Sequence, residues 1–350
     1  MFQDITVEEL IEVKDKPGQV LIDVRSPSEY RDFTIPGSIN IPLFDDSERA
    51  EIGTLYKQVS VQAAKERGLE VVSAKLPEFV KAFRDIPGEK TVFCWRGGMR
   101  SKTTATVLDL MGIHTHRLQG GIHEYRKKTV HMLEDYPFKP EAYVLNGYTG
   151  AGKTLILKHL QEEGYPVLDL ERMANHRGSI FGQIGLRPHN QKMFDALLLE
   201  RISQVKDEPY VLFEAESKRI GKAVLPEFLT LKKERGFQIF IDMPIEERVR
   251  HILEDYQPWG HHDECIQAFQ KIKKRIHTPI AAEIAQCLEA KEYARAVQLL
   301  LEYYYDPLYK YTADQYPEDR RMILQAKNIE DAAERIKEVL QNTFSGYAAQ

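Results

Sequence analysis

The run Gly147-Tyr-Thr-Gly-Ala-Gly152-Lys153-Thr154 most narrows what this chain can fold into. It follows the apolar stretch AYVLN and opens a second one, LILKHL. Strand, glycine loop and helix therefore come in the order that a G-x-x-x-x-G-K-[ST] loop requires. Such a loop works only where a strand end meets a helix start, which is the geometry of a parallel α/β sheet. Backbone N–H groups from Thr149 through Gly150, Ala151 and Gly152 to Lys153 would wrap a pyrophosphate, with Lys153 reaching its terminal phosphate. The Thr154 hydroxyl would face a Mg²⁺ ion.

Further apolar runs, YPVLDL, YVLFEA and FQIFIDM, read as the other strands of this sheet, spaced by helical stretches. The strand YVLFEAES offers Glu214 and Glu216 as metal-side acids, and Asp169 and Glu171 stand at a similar strand end. A metal held by Thr154 and Glu214 is one expectation; pairing of these carboxylates with Lys218 or Arg219 is the other. After Pro244 the pattern predicts helices only. The stretch FIDMPIEERVRHIL resembles the strand and following helix of P-loop nucleoside and nucleotide kinases, which implies a kinase-like fold without requiring kinase activity.

The N-terminal part holds a second centre. The strand TVFCW ends on Cys94, followed by Arg96, Gly97, Gly98, Arg100 and then Ser101, which can cap a helix. The glycines let successive N–H groups curl toward one sulfur atom. A helix N-terminus and two arginines favour thiolate over thiol. Cys94 is thus expected to be a reactive nucleophile, with Arg96, Gly97, Gly98 and Arg100 as its anion cradle; the plain alternative is a buried cysteine closing a strand.

This loop resembles that of the rhodanese family, as do LIDVRSPSEY (21–30) and IPGSINIPL (35–43). Thr34 stands where rhodaneses commonly carry a histidine. Asp23 and Arg25 are expected to tie loops together around the cysteine rather than do chemistry. The division expected is a rhodanese-like domain at 1–126, a linker at 127–140, a P-loop α/β domain at 141–245 and a helical region at 246–350.

A rhodanese-like domain ahead of a phosphate loop is an uncommon pairing. With CWRGGMRS, NGYTGAGKT and DLERMANHRGSIFG in this order, the chain resembles the bacterial tRNA 2-selenouridine synthase family from end to end. The resemblance implies a transferase acting on a wobble 2-thiouridine of tRNA. It implies selenophosphate as selenium donor and geranyl diphosphate as alkyl donor, with S-geranyl-2-thiouridine between. Selenium would reach the base through Cys94, as a perselenide or as a guided selenophosphate anion. A selenophosphate synthetase is an implied partner. His176, Arg177 and Ser179 are then candidate substrate contacts, the alternative being a solvated loop.

Net charge of −5 excludes a global attraction to nucleic acid, so tRNA would need local basic surfaces. Lys271, Lys273, Lys274 and Arg275, read as one helix, are candidates, as are Lys218, Arg219 and Lys222. Tyr303, Tyr304, Tyr305, Tyr309 and Tyr311 could stack on bases, but core or interdomain packing is the role expected of them first. Three scattered cysteines give neither a disulfide framework nor a zinc site, and Cys265 and Cys287 read as buried helix residues. His261 and His262 lack ligand companions. With no apolar run of membrane length and an acidic N-terminus, a cytoplasmic, non-membrane location is expected. Two rival readings share these motifs: a persulfide-relaying sulfurtransferase regulated by nucleotide, and a nucleotide switch whose first domain only docks proteins.

Overall fold

A computed structural model describes residues 2–309 and 315–344. The chain forms two compact units: one runs up to Leu133 and also takes in Asp195–Leu197, and the other holds the remainder. Among the described residues no helix is long and apolar enough to cross a membrane.

The first unit is a five-stranded parallel sheet of β1 (Gln3–Ile5), β2 (Gln19–Asp23), β3 (Ile39–Asn40), β4 (Glu89–Phe93) and β5 (Thr115–Leu118), in the order β1-β5-β4-β2-β3. Ile22 and Val92 from its strands pack with Phe83, Ala105 and Leu108 from flanking helices. Parallel strands covered on both faces read as continuous apolar runs, which is why VLIDV and TVFCW stood out. Cys94 leaves the C-terminal end of the central strand β4.

The second unit has its own five-stranded parallel sheet: β6 (Glu141–Gly147), β7 (Val167–Leu168), β8 (Tyr210–Glu214), β11 (Phe237–Asp242) and β12 (Arg321–Gln325), ordered β12-β11-β6-β8-β7. A small hairpin, β9 (Arg219–Ile220) and β10 (Ala223–Val224), lies outside it. β6 is central, with β8 on one side and β11 on the other, so the strand order reverses there. Ligands of open α/β sheets bind at the carboxyl ends of strands at such a point.

Two expectations need correction. Strands do not end at Pro244, because β12 pairs in parallel with β11 along Gln238–Asp242. Its helix, Ile329–Phe344, buries Ala332, Ala333 and Ile336 in the same core as Ile156 and Leu157. The apolar part of RMILQ is short, and at the sheet edge only Leu324 of its residues is buried, which weakened its signal. Likewise, residues 127–134 are not linker but the second half of the helix Gly121–Glu134. The rest of the C-terminal region is helical and has its own core, built on Phe269, Ile284, Leu299 and Leu301.

Candidate active site

Cys94 is buried, and its Sγ lies 3.2 Å from the Ser101 hydroxyl. Ser101 does not cap the helix Met99–Leu110, whose N-cap is Gly98, but lies in its first turn, so the thiol faces a helix N-terminus. Gly97 adopts a positive φ of 64°, and a Cβ there would lie 2.9 Å from the Leu118 carbonyl. From the far side Gly121 closes the loop: a Cβ on it would fall 2.2 Å from the Cys94 carbonyl oxygen. Any side chain at Gly121 would therefore push the thiol loop open. This Gly120-Gly121 pair was a readable motif, but its role depends on β5 lying beside β4.

The two arginines of the expected cradle sit differently. Arg96 is exposed. Arg100 forks onto the Glu29 carboxylate, with contacts of 2.5 and 3.2 Å. Burial alone would raise the Glu29 carboxyl; its hydrogen bond and charge pairing with Arg100 outweigh that and hold it low. Arg117, which drew no notice in the sequence, donates to the Gly97 carbonyl at 2.8 Å and pairs with Asp4. Asp23 and Arg25 are buried against each other at 2.6 Å, and Arg25 also donates to the Phe33 carbonyl. Thr34 donates to Asp23 at 3.0 Å, completing the tie between loops.

In the second unit the phosphate loop joins β6 to the helix Lys153–Glu162. Gly150 and Gly152 both take positive φ, and side chains there would strike Arg248 and Ile329. Lys153 Nζ lies 3.4 Å from the Gly147 carbonyl, folded back over the loop. The loop is gripped from outside by the helix Ile245–Tyr256. Arg248 donates from Nε to the Thr149 carbonyl at 2.9 Å, while its other nitrogens bind Asp306 at 3.0 and 2.5 Å. His251 Nδ1 meets the Gly150 carbonyl at 3.1 Å.

The acid beside Thr154 is Glu171, not Glu214. Thr154 Oγ1 donates to Glu171 Oε2 at 2.6 Å. Glu214 instead accepts from the Glu171 backbone N–H at 2.8 Å, and its other oxygen is fully buried without a partner. β7 places Glu171 across from the phosphate loop, a placement that spacing alone could not reveal. Burial, then repulsion from Glu216, pushes the Glu171 carboxyl up to about 8. Burial likewise raises Glu214, Glu216 and Asp169, with neighbouring carboxylates adding to it at Glu214. Among the described residues no three acidic, imidazole or thiol groups form a ready metal cage. Thr154 and Glu171 nevertheless suit Mg²⁺, which takes few protein ligands and completes its shell with phosphates and water.

A folded carboxyl with raised pKa binds a proton that the unfolded chain has released, so stability declines as pH rises from the ordinary glutamate value, 4.5, toward about 8. Thermal melting across that window should show this decline. Glu171→Gln should make it shallower, leaving the share of Glu214, Glu216 and Asp169, and stabilise the protein by about 1–2 kcal/mol at the alkaline end. An unchanged slope in the variant would show that Glu171 does not carry it.

Of the candidate contacts in the loop after β7, Arg177 is engaged internally. It donates to the Ile184 and Asp255 carbonyls at 2.8 Å, pairs with the Asp255 carboxylate at 2.7 Å and lies over the Tyr256 ring. His176 is half buried, and burial together with nearby Arg177 lowers its pKa. Ser179 meets the Tyr256 hydroxyl at 3.1 Å. Ser179 also lines a cavity that no sequence pattern foretold, about 610 Å³ counting the space open at its mouth. Thr149 of the phosphate loop is part of its wall, and the rest is nearly all apolar: Phe181, Ile252, Leu288, Val297, Leu300 and others. Cys265 lines it too, while Cys287 is a buried helix residue.

Lys271, Lys273, Lys274 and Arg275 are exposed, but only Lys271 is on the α-helix His262–Ile272; the others form a 3-10 turn. Lys218, Arg219 and Lys222 are exposed at the β9–β10 hairpin. Tyr304 and Tyr305 are buried, Tyr303 is exposed, and Tyr311 lies outside the described residues. His261 pairs with Glu264, and His262 with Tyr293.

These features define a class: a rhodanese-like thiol domain joined to a P-loop α/β domain with an apolar cavity beside the phosphate loop. Residues 140–343, more than half of the chain, match the family described as tRNA 2-selenouridine synthase AAA domain, and residues 6–128 match the rhodanese-like domain. The tRNA 2-selenouridine synthase of Nitrosomonas europaea is 32% identical over 311 residues, covering 85% of this chain and 79% of that one. That of Bdellovibrio bacteriovorus is 30% identical, covering 83% and 87% respectively. The chain belongs to the tRNA 2-selenouridine synthase family.

Proposed function

We propose that the protein converts a wobble 2-thiouridine of tRNA to 2-selenouridine in two steps, S-geranylation at the phosphate loop and then selenium delivery at Cys94. The observation that carries the reading is the apolar cavity walled in part by Thr149. A nucleotide would present a polar base and ribose to that wall, whereas the hydrocarbon tail of an allylic diphosphate matches it.

In the first step the thiouridine sulfur attacks C1 of geranyl diphosphate. The C1–O bond breaks, pyrophosphate departs with the electron pair, and the base loses its N3 proton. Lys153 and the loop N–H groups stabilise the leaving charge. Mg²⁺, held by Thr154 and Glu171 together with the diphosphate, would supply further neutralisation of that charge. Alkylation turns sulfur from a thiocarbonyl into a leaving group. In the second step selenium attacks C2 and geranyl thiolate leaves. The selenium of selenophosphate is already at the selenide level, so direct attack followed by P–Se hydrolysis needs no reductant. Delivery of selenide from a Cys94 perselenide would need two added electrons, which favours the guided anion. A selenophosphate synthetase would supply the donor, in the cytoplasm where tRNA resides.

Nucleoside analysis of bulk tRNA from cells with and without the gene tests the reading. Both 2-selenouridine and S-geranyl-2-thiouridine should vanish without it. Persistence of both would rule it out, and loss of 2-thiouridine itself would favour a sulfur relay.

A further inference from the structure

The hydroxyl of Tyr305 is buried beside the Ser179 hydroxyl but makes no hydrogen bond of good geometry, and the residue is only 9% exposed. A phenol in this state is less stable than phenylalanine would be in the same space, because its hydroxyl has left water without replacement. Tyr305 lines the apolar cavity together with Thr149, Ser179 and Tyr256. The neighbouring Ser179 and Tyr256 hydroxyls are bonded to each other at 3.1 Å. Burial, then the nearby tyrosines, holds the Tyr305 phenol well above its ordinary range against the opposing effect of Ser179.

The backbone around Tyr305 is also unusual. It is the last residue of a π-helical turn, Leu301–Tyr305, a departure from regular helix that recurs where a side chain must be re-aimed for function. The next residue, Asp306, binds Arg248, and Arg248 holds the Thr149 carbonyl. One clamp therefore positions both the phosphate loop and the phenol. Between an anionic head in the loop and a hydrocarbon tail in the cavity, the ligand atom that changes character is the oxygen joining the two.

We propose that Tyr305 is a catalytic residue of the alkyl transfer, its hydroxyl donating a hydrogen bond to the oxygen that links the diphosphate to C1 of the hydrocarbon. This rests on the reading of the phosphate loop as an allylic diphosphate site. As the C1–O bond breaks and the sulfur–C1 bond forms, the electron pair moves onto that oxygen and the hydrogen bond strengthens. The tyrosine keeps its proton, and pyrophosphate leaves as the anion. The effect therefore falls on kcat more than on KM.

The test uses the full-length wild type and Tyr305→Phe, a 2-thiouridine anticodon stem-loop RNA and geranyl diphosphate. Tyr305→Phe should melt at the wild-type temperature or above it, because an unpaired hydroxyl is removed. Its kcat for geranylation should fall roughly 10- to 100-fold with KM little changed. Equal kcat in the two proteins would overturn the role of Tyr305 and leave the alkyl-transfer reading intact. A lower melting temperature accompanying the lost activity would also overturn it, since the hydroxyl would then be structural. If the wild type transfers no geranyl group, the reading of the phosphate loop fails, and the proposal for Tyr305 with it.

Discussion

Cys94→Ser is expected to abolish 2-selenouridine formation while S-geranyl-2-thiouridine accumulates in its place. The thiol lies at a helix N-terminus, 3.2 Å from Ser101, inside a loop closed by Gly97 and Gly121. Serine is nearly isosteric, so the loop and its N–H groups should persist, and the loss would report the sulfur rather than the fold. Serine removes the sulfur that meets the incoming selenophosphate in the proposed second step, while leaving the surrounding cradle in place. The measurement is separate assay of the two steps, one on 2-thiouridine RNA and one on RNA already geranylated. Loss of geranylation with selenation intact would reverse the assignment of steps to domains.

Lys153→Ala should produce the complementary defect: geranylation should fall by about 10²–10³ in kcat, while pre-geranylated RNA is still selenated. In the proposed first step the Lys153 ammonium is the cation that stabilises the departing diphosphate. Lys153 also faces Glu171 and Glu216, whose proton affinity its charge lowers. Its removal should therefore raise the carboxylate pKa values further and steepen the alkaline loss of stability. Selenation lost in step with geranylation on pre-geranylated RNA would mean that the phosphate loop serves both steps.

Much of the two α/β architectures was legible because their strands are buried on both faces and appear as unbroken apolar runs between turn residues. β12 escaped because an edge strand is half exposed and short, and because it returns to the sheet after a long helical excursion. Glu171 could be named as one of several acids, but its bond to Thr154 arises from β7 lying next to β8 in the sheet. Arg177 looked available for phosphate because local sequence does not reveal Asp255, which comes from a distant helix. The cavity was wholly invisible: its lining comes from the phosphate loop, the loop after β7 and separate helices that each read as an ordinary amphipathic segment.

By itself the sequence located the two loops, whose character depends on adjacent residues. A glycine loop between strand and helix, and a cysteine ending a strand before two glycines, are legible as candidate anion cradles because their backbone N–H groups are supplied by neighbours in the chain. Tertiary structure alone decided which acid meets Thr154, what clamps the phosphate loop, and that an apolar cavity with an unpaired phenol adjoins it. Those features join groups far apart along the chain, and only packing brings them within contact distance.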